Sequence, residues 1–347
     1  MKKTVLVIIS ILYLSTLAYA SIGEIEKIDG IVLYREHSGI PYKKAKAGLS
    51  LNTGFWIKTE EKSWAVIKMV DGSKFTLADN TELEISEFLI DKSKKNGVFH
   101  ITQGKIRATV VKLTGQATNL RVKTPTAVAG IKGTEFLMLS KGLANVFFGN
   151  ENTVYIAGYD TSEKTLLPDT MVQNTRGLTP TEPVKVEEGS LLYDAKKGLS
   201  EITAPTPPEE WEISGVLPDI IARWNINYGH YLADSGRYEE ALYVFQIALD
   251  LSDNPEIKAD ARLERGTVYS RFLRNPEAAL AEYLIVLDEY PEVPQKEAAL
   301  YLAGMTLYEL GFKEQAKQKL LQYKKNYPDG KYLTNVETIL KLLENEK

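Results

Sequence analysis

Residues 120–136 read LRVKTPTAVAGIKGTEF, and this stretch decides the fold of the first half of the chain. Its first four residues alternate apolar and charged side chains, which is the period of a half-buried β-strand. The threonine–proline pair predicts an extended kink, because the residue before proline is pushed out of the helical region. The two glycines permit a tight or left-handed backbone before the chain re-enters the sheet. We expect this corner to be structural rather than ligand-binding, and its residues are Thr124, Pro125, Gly130, Gly133, Thr134 and Phe136.

The sequence on both sides of this stretch has the texture of a β domain. Asp71-Gly72 stands between two apolar runs, which is a strong signal for a β-hairpin. Strand candidates recur about every 8–12 residues, a spacing typical of sandwiches and barrels. We therefore predict an all-β, sandwich or barrel-like domain over residues 21–195.

The stretch at 120–136 resembles the signature of the FecR-like periplasmic domain family, in which a threonine–proline pair precedes a basic-Gly-Thr-x-Phe sequence. Two earlier segments, residues 48–73 and 98–105, agree with the family pattern, so the resemblance spans about residues 23–160. Lys132 departs from the family, which more often has arginine there, and lysine is a point donor rather than a planar fork. The resemblance implies a periplasmic sensing module.

The last third of the chain has a helical period and repeats itself. Glycine in the first helix and alanine in the second would let paired helices approach closely, with an aromatic or leucine side chain between them. These positions resemble tetratricopeptide repeats over about residues 220–330, and a repeat of this length predicts stacked helix pairs. Residues 331–347 are then expected to form a capping helix. The repeated positions, 37 or 38 residues apart, are Gly229, Gly266 and Gly304, and Ala241, Ala279 and Ala316.

Two further segments complete the expected organisation. Residues 1–20 have a basic start, an apolar run and the small residues Ala18 and Ala20, the pattern of a secretory signal peptide cleaved after Ala20. Residues 196–218 contain four prolines and predict an extended, proline-rich linker. The helical-repeat domain is expected over 219–347. The fold class predicted is α+β and multidomain, an all-β N-terminal domain followed by an α-solenoid.

Composition excludes several kinds of chemistry. The 347 residues include no cysteine, which excludes thiol nucleophiles, disulfides and cysteine-ligated metals. Three histidines far apart leave little for an imidazole metal site, and a net charge of −4 disfavours general nucleic-acid binding. Catalytic motifs are absent from the sequence. We expect a protein that is not an enzyme, with no cofactor, no metal, no nucleic-acid partner and no stable membrane span after signal removal.

The candidate partner-binding residues lie on the first helices of the repeats. Repeat geometry is expected to turn their side chains toward a groove, where aromatic and charged groups could anchor a partner. Core packing is at least as well supported for the two tyrosines. The candidates are Arg223, His230, Arg271, Tyr301 and Tyr308.

We interpret the chain as an exported, periplasmic, non-enzymatic envelope binding or scaffold protein. The repeats would hold an envelope protein, and the β domain would recognise another envelope component. One alternative is a polysaccharide- or peptidoglycan-binding protein that contacts cell-wall glycan through aromatics such as Trp56 or Trp64. Another is the periplasmic sensor part of a transport-linked signalling system. A set of loop lysines could touch anionic polymers but is more simply solubilising: Lys43, Lys44, Lys46, Lys92, Lys94 and Lys95.

Overall fold

A computed structural model describes most of the chain after the expected signal peptide, which itself lies outside the described residues. The described ranges are residues 21–91, 93–112, 114–115, 117–159 and 161–345.

Within these residues the first half is built from short strands and one long one, and all named pairs are antiparallel except one parallel pair between the long strand and its successor. The strands are β1 (Gly23–Asp29), β2 (Val32–Arg35), β3 (Lys43–Lys44), β4 (Ser50–Leu51), β5 (Trp56–Thr59), β6 (Trp64–Met69), β7 (Lys74–Leu77), β8 (Glu82–Ile90), β9 (Lys94–Thr109), β10 (Ala117–Lys123), β11 (Val128–Ile131), β12 (Glu135–Lys141), β13 (Ala144–Gly149), β14 (Val154–Ala157), β15 (Lys164–Leu166), β16 (Thr170–Thr175) and β17 (Val184–Lys185).

The strands form two sheets that share β9. The first sheet has the order β4-β1-β6-β7-β9-β12-β13-β16-β17, and uses the C-terminal part of β9. The second has the order β3-β2-β5-β8-β9-β10-β11-β14-β15, and uses the N-terminal part. Gly104 lies where β9 passes between them, with a φ of +122°. A Cβ there would lie 2.3 Å from Thr81, so only glycine fits this corner.

The sandwich core lies between the sheets, and the first sheet is also covered on its other side. Phe75, Phe99 and Phe136 are fully buried in the core between the sheets. The outer face of the first sheet contributes Leu139 and Phe148 to a second core, shared with the helices. Because β12 and β13 are buried on both faces, their sequences show continuous apolar runs instead of alternation.

The second half contains eight helices within the described residues. They are α1 (Leu191–Ile202), α2 (Glu212–Asp234), α3 (Tyr238–Leu251), α4 (Pro255–Arg271), α5 (Pro276–Glu289), α6 (Lys296–Glu309), α7 (Lys313–Asn326) and α8 (Leu333–Asn345). The predicted fold class, a β domain followed by helix-pair repeats, is confirmed.

Close helix approach in each pair depends on the repeated glycines. A methyl group at Gly229 in α2 would lie 2.4 Å from the ring of Phe245 in α3. A methyl group at Gly266 in α4 would lie 2.3 Å from the ring of Tyr283 in α5. A third close approach joins α6 and α7, where a methyl at Gly304 would lie 2.7 Å from Leu320. Each pair therefore packs a large side chain directly on a backbone that lacks a Cβ, as the repeat pattern predicts.

The connector differs from the sequence prediction. An extended linker over 196–218 is wrong, because α1 and α2 occupy most of this range and only residues 203–211 are not helical. Pro218 lies inside α2 and is buried. The helices instead pack on the first sheet, and a single apolar cluster runs from Leu137 in β12 to Val268 in α4. The β and helical parts are thus joined by a shared core.

Polar contacts fix this junction. The Arg107 guanidinium donates to the carbonyl oxygens of Thr203 at 2.9 Å and Ser200 at 2.8 Å, at the end of α1. Buried Gln173 and Asn225 exchange hydrogen bonds between β16 and α2. These contacts satisfy polar groups that the shared core would otherwise leave buried without partners.

Candidate functional site

A cavity of about 570 Å³ lies between the first helices of the three pairs and the beginning of α8. We call it the groove. Its lining mixes charged, hydroxyl and aromatic side chains with a few apolar ones. The lining side chains that we consider further are His230, Glu264, Arg271, Tyr301, Tyr332 and Asn335.

Three of the five predicted partner-binding residues meet in the groove. His230 comes from α2, Arg271 from the end of α4 and Tyr301 from α6. Arg223 is exposed on α2 but does not line the groove. Tyr308 also lies outside it and packs against the apolar cluster of the last helices. The repeat pattern thus identifies the helices that line the groove more reliably than it identifies the individual lining residues on those helices.

The charged centre of the groove is Glu264. Its carboxylate lies 3.3 Å from Nδ1 of His230, which joins α2 to α4. Burial raises the pKa of Glu264, the nearby Asp260 carboxylate acts in the same direction, and His230 and Arg271 act against them. A carboxyl group whose ionised form is disfavoured by burial is a group that a cationic or hydrogen-bond-donating ligand would stabilise.

Two stacked tyrosines form one wall. The rings of Tyr301 and Tyr332 are 4.3 Å apart and tilted by only 4°. Asn335 donates a hydrogen bond to the Tyr301 hydroxyl at 3.3 Å. Tyr332 and Asn335 come from the segment expected only to cap the array, so sequence reasoning missed them. Their repeat position gives no signal, since they lie after the last repeat.

A hydrogen-bond network holds the loop that carries Tyr332. The hydroxyl of Tyr323 donates to the Glu297 carboxylate at 2.6 Å and accepts from the Tyr332 backbone N–H at 2.9 Å. Glu297 also accepts from the Lys331 N–H at 2.8 Å. Burial and then the hydrogen bond to Glu297 raise the pKa of Tyr323 to about 12, so it keeps its proton at neutral pH. The aromatic wall is thereby pre-positioned for binding.

The lining of the groove is polar and aromatic. Within the described residues, no group of three or more histidine, aspartate or glutamate side chains could hold a metal ion. The described part of the chain also has no helix that is long and apolar enough to cross a membrane. Hydrogen bonds, ion pairs and ring stacking are what the lining offers.

The motif at 120–136 makes mainly backbone-organising contacts. The Thr124 hydroxyl accepts from the N–H groups of Thr126 and Ala127, which closes the turn that contains Pro125. Thr134 exchanges two backbone hydrogen bonds with Val110, and Phe136 is buried in the sandwich core. The motif contacts described here are with the backbone and core of the protein itself.

The two motif glycines differ in conformation. Gly133 has a φ of +103°, and a methyl there would meet the Lys112 side chain at 2.5 Å. Gly130 lies within extended β11, so of the two glycines that permit a left-handed backbone only Gly133 adopts one.

Two sequence interpretations of single side chains are wrong. Trp64 is 1% exposed and its indole N–H donates to the Ala204 carbonyl at 3.1 Å, so it cannot stack on a glycan. Trp56 is partly exposed, with the Arg35 guanidinium 4.5 Å from its ring centre. Lys95 is fully buried and pairs with Asp71, so it is not a loop lysine; Lys92 lies outside the described residues.

Comparison with known proteins supports both resemblances. Residues 56–150 match the family model described as FecR protein, and residues 298–330 match a tetratricopeptide repeat model. Neither family is a catalytic one. No curated protein matches the chain.

Solved structures resemble separate parts of the chain. One is a protein described as an anti-sigma factor from Parabacteroides distasonis, with 17% identity and a TM-score of 0.33 over 40% of this chain and 63% of that one. This chain therefore spans less than two thirds of that protein's length. Another is the type III secretion chaperone SycD of Yersinia enterocolitica with a peptide of the translocator YopD, at 22% identity and a TM-score of 0.30 over 36% and 92%. A third is the C-terminal tetratricopeptide domain of a Plasmodium falciparum FK506-binding protein, at 19% identity and a TM-score of 0.32 over 39% and 94%.

Proposed function

We propose that this chain is an exported, non-enzymatic binding protein of the cell envelope. Its helical array holds a protein partner in the groove, and its β domain recognises a second envelope component. The observation that carries the proposal is the groove itself, where His230, Arg271 and Tyr301 converge from three helices. The FecR match at 56–150 supports an envelope setting, and the repeat match at 298–330 supports protein interaction.

The energetics of the groove favour a binding role over a purely structural one. Burial of Glu264 disfavours its charged form, so the free protein bears a cost that an apolar side chain would avoid. Buried charged groups that destabilise the free protein are common at functional sites, where a bound ligand can stabilise them. The stacked Tyr301–Tyr332 pair adds a rigid aromatic surface of the type that anchors protein partners.

Site-directed photocrosslinking tests the groove. A photoreactive amino acid at Tyr301 in intact cells should capture one protein, and the same residue at exposed Leu321 on α7, which does not line the groove, should not. The captured protein is then purified and titrated against the mature chain. We expect His230→Ala with Tyr301→Ala to weaken binding at least about tenfold and Leu321→Ala to leave it unchanged. Equal capture at both positions, or unchanged binding by the double variant, would refute the groove proposal.

Export is tested separately. N-terminal sequencing of the protein from cells should give a chain that begins at Ser21, as cleavage after Ala20 requires. Fractionation should place that chain outside the cytoplasm. Recovery of an intact N-terminus in the cytoplasmic fraction would overturn the exported setting, while the groove experiment with purified protein would still stand.

A further inference from the structure

A second cavity, of about 350 Å³, lies on the second sheet of the β domain. It is formed where β10, β11 and β14 run side by side, and the register places Arg121, Gly130 and Tyr155 in one row across the three strands. Gly130 has no side chain, so the row has a gap between a guanidinium and an aromatic ring. The lining residues used here are Thr118, Asn119, Arg121, Lys132, Tyr155 and Glu163.

The cavity carries two cations that have no anionic partner. Arg121 and Lys132 are both exposed, and among the described residues neither makes an ion pair. The Lys132 ammonium instead lies 5.2 Å from the centre of the Tyr155 ring. Glu163 is the one acidic lining residue, and it too makes no ion pair within the described residues. The local excess of positive charge favours an anionic ligand.

The cavity also offers uncharged and acidic hydrogen-bonding groups. Thr118 is among the lining residues, but its side chain lies on the core-facing side of β10 with Leu120 and Val122, whereas Asn119 and Arg121 lie on the outer side. The Asn119 amide and the Glu163 carboxylate add a donor and acceptors, a set that suits ligand hydroxyl groups.

We propose that this cavity binds an acidic saccharide unit, in which Arg121 and Lys132 hold a carboxylate or phosphate group and Asn119 and Glu163 take the sugar hydroxyls. Both anionic groups have the same chemistry toward a guanidinium, which pairs with either through two parallel hydrogen bonds. The inference names the class of envelope component assigned to the β domain above and rests on that part of the proposed function. It does not depend on the groove or on any protein partner.

Gly130 provides a way to close the cavity without unfolding the sheet. Its backbone is extended, and a methyl there would come no nearer than 3.7 Å to Tyr155, which is an ordinary contact. Gly130→Val therefore fits the strand, where β-branched residues are favoured, and places its side chain in the gap. Arg121→Gln with Lys132→Gln removes the charge. Lys44→Gln, at an exposed and unpaired lysine on β3 of the same sheet, is the matched control.

Calorimetric titration of the chain from residue 21 tests the site with four probes: trigalacturonate, mannose 6-phosphate, uncharged maltotriose and inorganic phosphate. We expect one or both acidic sugars to bind more tightly than maltotriose and inorganic phosphate, and binding to weaken as salt rises. Both cavity variants should lose at least about tenfold in affinity, and Lys44→Gln should lose none. Which acidic sugar binds identifies the charged group.

The opposing outcomes are equally definite. Binding of neither acidic sugar, binding of maltotriose as tightly as trigalacturonate, or full affinity in the charge-removed variant would each overturn the proposal. Inorganic phosphate binding as tightly as mannose 6-phosphate would reduce the cavity to a simple anion site and overturn the saccharide assignment. Thermal unfolding of each variant checks that it is folded. Because purified protein and sugars are used, failure here is distinguishable from failure of export or of the groove.

Discussion

At the residue scale, Lys95 shows how a charged side chain can become part of a core. Its ammonium pairs with the Asp71 carboxylate and donates to Ser73 Oγ at 3.1 Å and to the Val111 carbonyl at 2.9 Å. These contacts tie the β6–β7 turn to the start and the end of β9. The sequence near Lys95 is rich in lysine and resembles a solvated loop, because its partners lie more than 15 residues away in both directions.

Removing the charge of Lys95 alone should be costly. Lys95→Met leaves the Asp71 carboxylate buried without a counter-charge, and we expect a loss of about 3–5 kcal/mol in the free energy of unfolding. Adding Asp71→Asn removes that buried charge while keeping an acceptor for Ser73, so the double variant should recover much of the loss. Denaturant unfolding measures both. A single variant within 1 kcal/mol of the wild type, on the order of a surface pair, would contradict the buried-pair reading.

Arg274 occupies a backbone position better suited to glycine. The turns between paired helices contain Gly236 with φ +76° and Gly311 with φ +81°, whereas the middle turn has Arg274 with φ +50°. A left-handed conformation costs a residue with a Cβ about 1–2 kcal/mol. Glycine avoids this strain in the folded protein, but it also gives the unfolded chain more conformational freedom, which offsets part of the gain in stability. We expect Arg274→Gly to stabilise by about 0.5–1 kcal/mol in thermal unfolding and Gly236→Ala to destabilise. A lower melting temperature for Arg274→Gly would contradict this.

Glu264 should make stability fall with rising pH. Since burial raises its pKa in the folded protein, the folded state holds this proton more tightly than the unfolded state does. Its favourable contribution is complete below the ordinary pKa of 4.5 and is lost as pH rises toward the higher folded pKa. We expect Glu264→Gln to be more stable than wild type at pH 7 and nearly equal at pH 4. Thermal melts at both pH values test this, and the same difference at both would refute it.

At the scale of elements, the helix pairs could be predicted and the connector could not. Glycine, alanine and aromatic positions of a repeat lie close in sequence, so the packing of Gly266 against Tyr283 is visible as a pattern. The first turn of α2 is fixed differently, since Lys105 donates to the Ser214 hydroxyl at 2.7 Å and Ser214 donates to Asp79. Such long-range contacts leave no local period, and the prolines around them indicate a linker.

Arg107 should control how α1 is docked. Its side chain bonds the last turn of α1 and also pairs with Glu135 at 2.6 Å. We expect Arg107→Met to destabilise by about 2–3 kcal/mol, because the charged donor serves two carbonyl groups at once. Amide exchange near Thr203 should become faster, while Lys58→Met, which breaks a half-exposed pair with Glu60, should cost under about 1 kcal/mol. Unchanged exchange at Thr203 would refute the docking role.

At the scale of the whole molecule, the shared core makes the two halves one stability unit. The groove residues His230 and Tyr301 could be proposed from the repeat, yet the row of Arg121, Gly130 and Tyr155 could not, because it requires the strand register. The side of the first sheet that packs on the helices could not be anticipated either. The only sequence signal for this packing is in β12 and β13, whose apolar runs lack alternation because both faces of these strands are buried.

Cutting the chain after residue 190 should therefore expose an apolar face. Leu137, Leu139 and Phe148 are at most 1% exposed and would lose their cover of helices. We expect the 21–190 fragment to aggregate or bind a hydrophobic dye, whereas the chain from residue 21 to 347 unfolds in one main transition that includes the first sheet. A monomeric 21–190 fragment with native-like unfolding would show that the sheet is complete without the helices.

The junction of α1 and α2 with the first sheet also has a mechanical consequence. A flexible linker would let the β domain and the groove move relative to each other. Here α1 and α2, which lead into the helices of the groove, pack on the first sheet of the sandwich. In the proposed function, a molecule bound in the groove and one bound by the β domain would therefore be held at a fixed distance and angle to each other.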